Sequence, residues 1–418
     1  MNKKLQFFTL LLVNIFSISS LQAAIDMQAH LATDEAQNAY TSYLSQQSSY
    51  YTGNYTYTTL LAQTGDQLFG SLNTLMGNTC KLEAWGLDYG DLRYAYTDVD
   101  RDLNKSGNII GYYDGYSFAG KWDSGKTWNR EHTWPQSKGA NKDIPMGHDM
   151  QSVRPTRKAA NSDRGNTAYG EGGSYYDPDE ISINNSAYKK INLGTYRGDA
   201  ARVIMYDYIV YGQAGSYKNS LYNGNAQLLN KLGSSGVFES LRIMLKWHMQ
   251  DPPSLTEMVR NDGAQAYQGN RNPFIDFPEF AIQIFLNNSN IKTHKVKVNT
   301  SATLWPNYQY TLSDGFIAYL TEADGSRPES VDVTGATYSY DATMGRLTIT
   351  NVTSDMVIST NGITAIDDIY YSNKIVIYNI TGTIIAEISS ENLSSTLQTL
   401  PSGLYIIQQG NQARKIMR

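Results

Sequence analysis

Cysteine is almost absent from this 418-residue chain. With Cys80 alone no intramolecular disulfide can form, and neither a cysteine framework nor a thiolate zinc cluster is available. Long apolar runs are missing too, apart from one at the extreme N-terminus, so no stable membrane span is expected. No internal repeat of fixed period is visible. A surplus of positive charge is also lacking: Lys+Arg 34 against Asp+Glu 39 gives a net charge of −5, which argues against a polyanionic partner for the chain as a whole. Hydrophobic residues at 41% and charged residues at 17% exclude a disordered chain. The length exceeds what one core usually organises and points to two or three units.

What is present starts at the N-terminus. Lys3 and Lys4 precede the apolar run Leu5 to Ile18, and small residues lead to Ala23, the three zones of a secretory signal with cleavage expected near Ala23. Removing it leaves 32 basic against 39 acidic residues. A secreted chain without disulfides must be held by packing alone, which suits a bacterial product. Charge is then unevenly divided: residues 24–120 carry 4 basic and 11 acidic groups, whereas Lys121 to Arg164 carry 9 basic and 5 acidic. The objection to a polyanion therefore fails locally, in a window of net +4.

Residues 35–58, rich in Ser, Thr, Gln and Tyr, read as an exposed N-terminal stretch. Leu61, Leu68, Leu72 and Leu75 then fall at helical spacing. Ile109, Ile110, Tyr112 and Tyr113 suggest a strand, Asp199 opens a second helical pattern, and a third runs from Glu239 to Gln250 until Pro252 and Pro253 end it. Beyond about residue 290 the segments are short, β-branched or aromatic and separated by turn residues, as in Lys295 to Asn299, Arg346 to Val352 and Lys374 to Asn379. The expected class is α+β: a mixed domain over 24–290, a β-rich module over 291–361 and a further β unit over 362–418, after a signal peptide at 1–23.

Reactive side chains are densest in Trp128-Asn129-Arg130-Glu131-His132-Thr133-Trp134-Pro135. In an extended segment Arg130 and His132 would share one face and Glu131 the other, so Glu131 and His132 reach one phosphate only if the chain bends there. A second cluster runs from His148 and Asp149 through Arg154 and Arg157 to Asn161, Arg164 and Asn166, with Thr156 expected to cap a short helix carrying Asn161. Phosphodiester hydrolysis needs a base near its operating pH, which histidine supplies, a Lewis acid held by hard oxygens, and a guanidinium for the phosphate. Arg130, Arg154 and Arg157 all qualify for that last role on residue type.

Trp128 to Ser137 (WNREHTWPQS) and Asp149 to Asn166 (DMQSVRPTRKAANSDRGN) resemble the endonuclease I family of secreted and periplasmic bacterial nucleases with a ββα-metal active site. Similar stretches are YRGDAAR from Tyr196, LKWHMQDP from Leu245 and QGNRNPFIDFPEF from Gln268, so the likeness covers roughly 60–285. The resemblance implies a ββα-metal fold, His132 as general base, and Glu131 and Asn161 as ligands of a divalent metal, Mg²⁺ or in its place Mn²⁺ or Ca²⁺. Arg130 and Arg164 join His132 as expected catalytic residues, and Asp149, Asn166, Arg154 and Arg157 are expected to support the site or bind phosphate. Gln151 stands where family members often have His, and Phe277 replaces a His sometimes found in the later motif. The substrate implied is DNA and, by the same phosphate chemistry, RNA, with little sequence specificity.

Other patterns carry less. Gly120 to Thr127 matches a phosphate loop in letters, but neither a buried strand before it nor a helix after it is expected. Asp98, Asp100, Asp102 and Asn104 imitate a calcium loop without its glycine or closing Glu, and read as a solvated turn. His248, on an apolar helix face, reads as a core histidine. Residues 362–418 resemble the C-terminal sorting domain of the type IX secretion system, notably in KIVIYNITG from Lys374 and in PSGLYIIQQGNQARKIMR from Pro401. A carbohydrate- or surface-binding β module is the alternative there. The resemblance implies a partner in the secretion machinery and a destination outside the bacterial cell or on its outer surface, by way of the periplasm. A non-catalytic surface protein whose basic window docks a polyanion is the rival reading of the whole chain.

Overall fold

The computed structural model describes residues 34–82, 86–171, 174–176, 181–183, 190–192, 196–211, 237–322, 326–360, 374–379, 384–389, 392–401, 404–409 and 412–417. The expected signal peptide lies outside them. Two compact units emerge, 1–361 and 362–418.

Helix α1 (Asp34–Tyr50) occupies part of the stretch expected to be exposed. Ala36, Ala39, Tyr40, Tyr43, Gln47 and Tyr50 recur every three or four residues and are buried. That inward stripe is built of Ala and Tyr rather than Leu and Ile, so composition hides it while its 3.6-residue period reveals it. Helix α2 (Tyr57–Leu61) leads to α3 (Gly65–Thr79), where Leu68, Leu72 and Leu75 are buried at the expected spacing. Helix α4 (Leu92–Val99) turns into the acidic segment after it. The expectation of a solvated turn fails at Asp100 and Asp102, which are buried; Asp100 accepts a 2.8 Å bond from Arg260 Nε.

Strands β1 (Asn108–Ile110) and β2 (Ser117–Ala119) form a hairpin. The expected strand therefore stops before Tyr112 and Tyr113, and Tyr113 has φ of +80° in the link. The phosphate-loop look-alike bends without entering a helix. Strand β3 (Trp128–His132) pairs antiparallel with β4 (Val153–Arg157), setting Arg130 opposite Pro155 and His132 opposite Val153. Helix α5 (Lys158–Arg164) follows β4 directly, completing a β–β–α unit. Thr156 does not cap that helix, because it lies within β4 with Arg157 at the N-cap, but Asn161 is on α5 as expected. Tyr112 N donates to Pro155 O at 2.8 Å and ties the β1–β2 link to β4.

Strands β5 (Ala168–Tyr169), β6 (Ser174–Tyr176), β7 (Ile181–Ile183) and β8 (Lys190–Asn192) form a small mixed sheet. Helix α6 (Arg197–Tyr211) is buried almost all round, with Asp199, Arg202 and Asp207 among its inward residues. Helices α7 (Leu241–Gln250) and α8 (Leu255–Gln268) come next. A capping box opens α8, Ser254 Oγ accepting from Glu257 N while Glu257 Oε2 accepts from Ser254 N, an arrangement worth about 1 kcal/mol. Short helices α9 (Pro273–Asp276) and α10 (Phe280–Ile284) close the helical region.

From His294 to Thr360 two four-stranded sheets follow, one of them containing a parallel pair. Their inward residues Leu304, Leu320, Ile349 and Ile358 share one buried apolar cluster with Leu72, Ile204, Leu245 and Phe280. The change to β-structure near residue 290 thus alters the secondary structure without interrupting the core. The 362–418 unit contains a four-stranded antiparallel sheet with its own small cluster, Ile375, Ile377, Tyr405 and Ile407. No helix among the described residues is long and apolar enough to cross a membrane.

Candidate active site

A cleft of about 280 Å³ opens at the end of β3 and is lined by Asn129, Arg130, Glu131 and His132, by Pro135 and Gln136 of the turn that follows, by Asn161, Arg164, Gly165 and Asn166 of α5 and its C-cap, and by Tyr89 and Trp122. Neighbours from both faces of β3 share the cleft, since the consecutive residues Asn129, Arg130, Glu131 and His132 all line it where the strand ends.

His132 is buried, and its Nε2 lies 2.9 Å from the carbonyl oxygen of Gly147. A carbonyl only accepts, so Nε2 carries the hydrogen and Nδ1 keeps a lone pair. That lone pair faces the Gln136 amide, with Gln136 Nε2 3.3 Å away. Burial, with Arg164 and Arg130 nearby, pushes the imidazole pKa down to about 4 against the opposing effect of the Gly147 bond. Position 147 must be glycine, since a Cβ there would come within 1.9 Å of the Asn141 carbonyl oxygen. The ring of Tyr89 stacks on His132 with centroids 5.3 Å apart.

Glu131 is equally buried. Its Oε1 accepts from Tyr113 Oη at 2.7 Å and from Arg164 Nη1 at 2.7 Å. Both side-chain contacts fall on the same oxygen, so Oε2 is the carboxylate atom that no side-chain donor holds, in a cleft that Glu131 lines, and the His132 backbone N–H also bears on the carboxylate. Desolvation raises this carboxyl's pKa, opposed first by Arg164 and then by the Tyr113 hydrogen bond. The side-chain amide of Asn161, half-buried on α5, lines the same cleft. One carboxylate oxygen and one amide oxygen form a hard donor set that suits a divalent cation retaining several waters. Among the described residues no group of three His, Cys, Asp or Glu side chains converges on a metal position.

The arginines separate cleanly. Arg130 lines the cleft, its guanidinium 3.7 Å over the Tyr89 ring and bonded to the Tyr89 carbonyl. Arg164, expected to be catalytic, lines the cleft but is fully buried, with Nη1 and Nη2 donating to Glu131 and to the carbonyl oxygens of His132 and Thr133, the latter two each 2.8 Å away. It is a positioning residue that fixes the end of β3. Arg154 is also corrected, because it points into the interior, pairs with Asp199 at 3.1 Å and stacks over Tyr112. Arg157 pairs with Asp114 at 2.7 Å outside the cleft lining. Asn166 is exposed at the rim. Asp149 is wholly buried, Oδ2 accepting from Tyr206 and Tyr211 and Oδ1 from Gln151 N and Gln268. Both its oxygens are taken by protein donors, and it anchors the segment that presents the Gly147 carbonyl. Gln151, standing where His was expected, donates to Asn261 Oδ1 at 2.7 Å, and Phe277 packs between Tyr51 and Tyr57. His148 lies off the cleft, near the Lys142 carbonyl.

The sequence reading missed Tyr113, Tyr169, Gln136 and Gly147. Gln136 and Gly147 lie inside or beside the quoted motifs, so proximity was a usable signal, whereas nothing local marks the two tyrosines.

A sequence profile of the endonuclease I family matches residues 64–279, which contain every residue of the cleft. The extracellular ribonuclease of Bacillus amyloliquefaciens is 31% identical over 238 residues, covering 53% of this chain and 75% of that protein. The extracellular ribonuclease of Bacillus subtilis (strain 168) is 30% identical over 239 residues, with the same coverage.

Proposed function

Because the chain belongs to the endonuclease I family, we propose that it is a secreted, divalent-metal-dependent endonuclease that hydrolyses phosphodiester bonds, with His132 as general base. The observation that carries the reading is the orientation of His132: the Gly147 carbonyl consumes its only hydrogen and leaves Nδ1 as an acceptor in a cleft that also holds Arg130 and Glu131. A water exchanging with the Gln136 amide at Nδ1 would give up its proton there as it attacks phosphorus in line, while the bond to the leaving oxygen breaks. Arg130 would grip a phosphate oxygen, its guanidinium stacked over the Tyr89 ring. Glu131 Oε2 and Asn161 would hold the cation, Mg²⁺ in the first place. When bound, it supplies Lewis-acid stabilisation of charge on the phosphate and leaving oxygens.

The names of the two Bacillus relatives support RNA as a substrate, and phosphate-centred contacts extend the reading to DNA. Export is supported by the same names and by the Lys3 to Ala23 pattern. We assign 362–418 to sorting by the secretion machinery; deleting it should leave nuclease activity in the periplasm, and full export of the truncated chain would reject that role.

The decisive assay gives purified chain single-stranded RNA, single-stranded DNA and plasmid, with Mg²⁺ or with EDTA. Endonucleolytic fragments in Mg²⁺ and none in EDTA are expected. Intact substrates in Mg²⁺ at low salt, or undiminished cutting in EDTA, would reject the proposal.

A further inference from the structure

Tyr113 combines two observations that packing alone does not require. Its backbone φ of +80° lies in the left-handed region, which an aromatic L residue rarely adopts, and conformations of this kind persist where surrounding structure over-determines them, often at functional sites. Its side chain is fully buried with the hydroxyl 2.7 Å from Glu131 Oε1. A carboxylate has no hydrogen to give, so Tyr113 donates. Its oxygen meets the Tyr169 hydroxyl at 2.5 Å, and Tyr169 also lies 3.0 Å from the Thr133 carbonyl beneath the Arg164 guanidinium.

We propose that Tyr113, backed by Tyr169, is a positioning residue that reserves Glu131 Oε1 for the protein and leaves Oε2 alone to ligate a divalent cation, so that the site favours a small octahedral ion over a larger one. The proposal rests on the reading of Glu131 as the cation's ligand. Mg²⁺ demands near-ideal octahedral geometry and keeps its waters, whereas Ca²⁺ takes six to eight oxygens and readily accepts both oxygens of one carboxylate. A carboxylate with one oxygen held by two donors cannot close that chelate. Arg164 Nη1 divides its hold between Oε1 and the His132 carbonyl, so Tyr113 is the donor aimed at Oε1 alone within the carboxylate clamp. Removing the Tyr113 hydroxyl frees much of Oε1 while leaving the ring to fill its place. Removing the Tyr169 hydroxyl acts one bond further away.

The test follows Mn²⁺ bound to the full-length protein by electron paramagnetic resonance and displaces it with Mg²⁺ or Ca²⁺, for wild type, Tyr113→Phe, Tyr169→Phe and Glu131→Gln, with melting temperature recorded for each. In Tyr113→Phe, Mg²⁺ affinity should fall roughly tenfold, a typical effect of removing a residue that orients a metal ligand, while Ca²⁺ affinity holds or rises. Tyr169→Phe should shift the Mg²⁺/Ca²⁺ ratio the same way by less. If Glu131→Gln abolishes Mg²⁺ displacement and Tyr113→Phe leaves the ratio at its wild-type value, the proposal is overturned and the ligand reading stands. Equal binding by wild type and Glu131→Gln overturns the ligand reading and this proposal with it. Parallel loss of both ions together with a lowered melting temperature shows a merely structural tyrosine and also overturns it. Should Tyr113→Phe not fold, an unchanged ratio in Tyr169→Phe overturns it equally.

Discussion

Two places in the 1–361 unit gather charged side chains, and they are built on opposite terms. Beneath β4, Arg154 and Arg202 meet Asp199 and Glu257 in a sealed network: Arg202 donates from Nε and Nη2 to both oxygens of Glu257 at 2.7 and 2.8 Å, and Arg154 reaches Asp199 at 3.1 Å. At the end of β3, Glu131 and His132 are just as buried, yet each keeps one acceptor atom, Oε2 and Nδ1, at a cleft. In the network the charges are matched against one another inside the protein, both Glu257 oxygens by Arg202 and Asp199 by Arg154. In the cleft no side-chain donor holds Glu131 Oε2 and His132 Nδ1 meets only the Gln136 amide, 3.3 Å away, and the proposed chemistry rests on these two atoms. A perturbed charge alone does not separate the two places, because Asp199 is held above the ordinary carboxylate range by burial and by the nearby Glu257, much as burial raises Glu131.

Substitutions can break this contrast or sharpen it. The largest effect is expected from His132→Ala, which should lower the cleavage rate by about 10²- to 10⁴-fold, as for loss of a general base, with a melting temperature near that of wild type. Normal cutting by this variant would remove Nδ1 from the reaction. Next, Arg202→Met should cost about 3 to 5 kcal/mol of stability, because it strands Glu257 and Asp199 as buried charges, while the folded fraction cuts at the wild-type rate. Urea titration with activity measured below the transition checks both halves, and a catalytic defect in fully folded Arg202→Met would merge the two regions.

A smaller effect comes from His248, buried on α7 with Nε2 2.7 Å from the Pro278 carbonyl. Burial and Arg202 depress its pKa to about 3, so the folded state keeps it neutral while the unfolded chain takes up a proton near pH 6.5. The unfolded state therefore binds more protons between those values, and this contribution to stability is complete above pH 6.5 and declines as pH falls toward 3. At pH 5 the loss is about 2 kcal/mol. Asp199, with its raised pKa, acts with the opposite slope, so the check is the difference between wild type and His248→Gln across pH 5 to 7. Equal slopes would show that the His248 pKa is not depressed in the fold.

The smallest effect concerns the basic window. Of its nine basic residues, Arg154, Arg157 and Arg164 are paired inside the protein, whereas Lys121, Lys126, Lys142 and Lys158 are exposed. Substrate binding should still weaken as salt rises, and Arg130→Ala should reduce the slope of log affinity against log salt by about 1. An unchanged slope would mean that Arg130 does not meet a phosphate.

The limits of the sequence show in particular residues. Arg130, Glu131, His132 and Asn161 were legible because they lie in short ordered motifs, and residues consecutive on one strand or following it on the next helix stay near one another in space. The helical spacing of Leu68, Leu72 and Leu75 was legible because it repeats locally. The buried partners of Arg154 and Arg164 were not legible, since a guanidinium has the same composition whether it grips a phosphate or a buried carboxylate, and only the position of its partner decides. Tyr113 was taken for a strand residue, because nothing local marks its left-handed backbone or the bonds of its hydroxyl to Glu131 and to Tyr169, the latter 56 residues away.

The order of residues therefore carries the inventory and its local arrangement: the family motifs, the placing of His132 beside Glu131, the helix periods, and the single cysteine that leaves packing to hold the chain. The tertiary structure decided which atoms remain free. The tautomer of His132 depends on a carbonyl fifteen residues away, and the open oxygen of Glu131 depends on a tyrosine and an arginine from two different segments. Hydrogen bonds are satisfied by whatever the fold brings within about 3 Å, and that distance is not written in the order of residues.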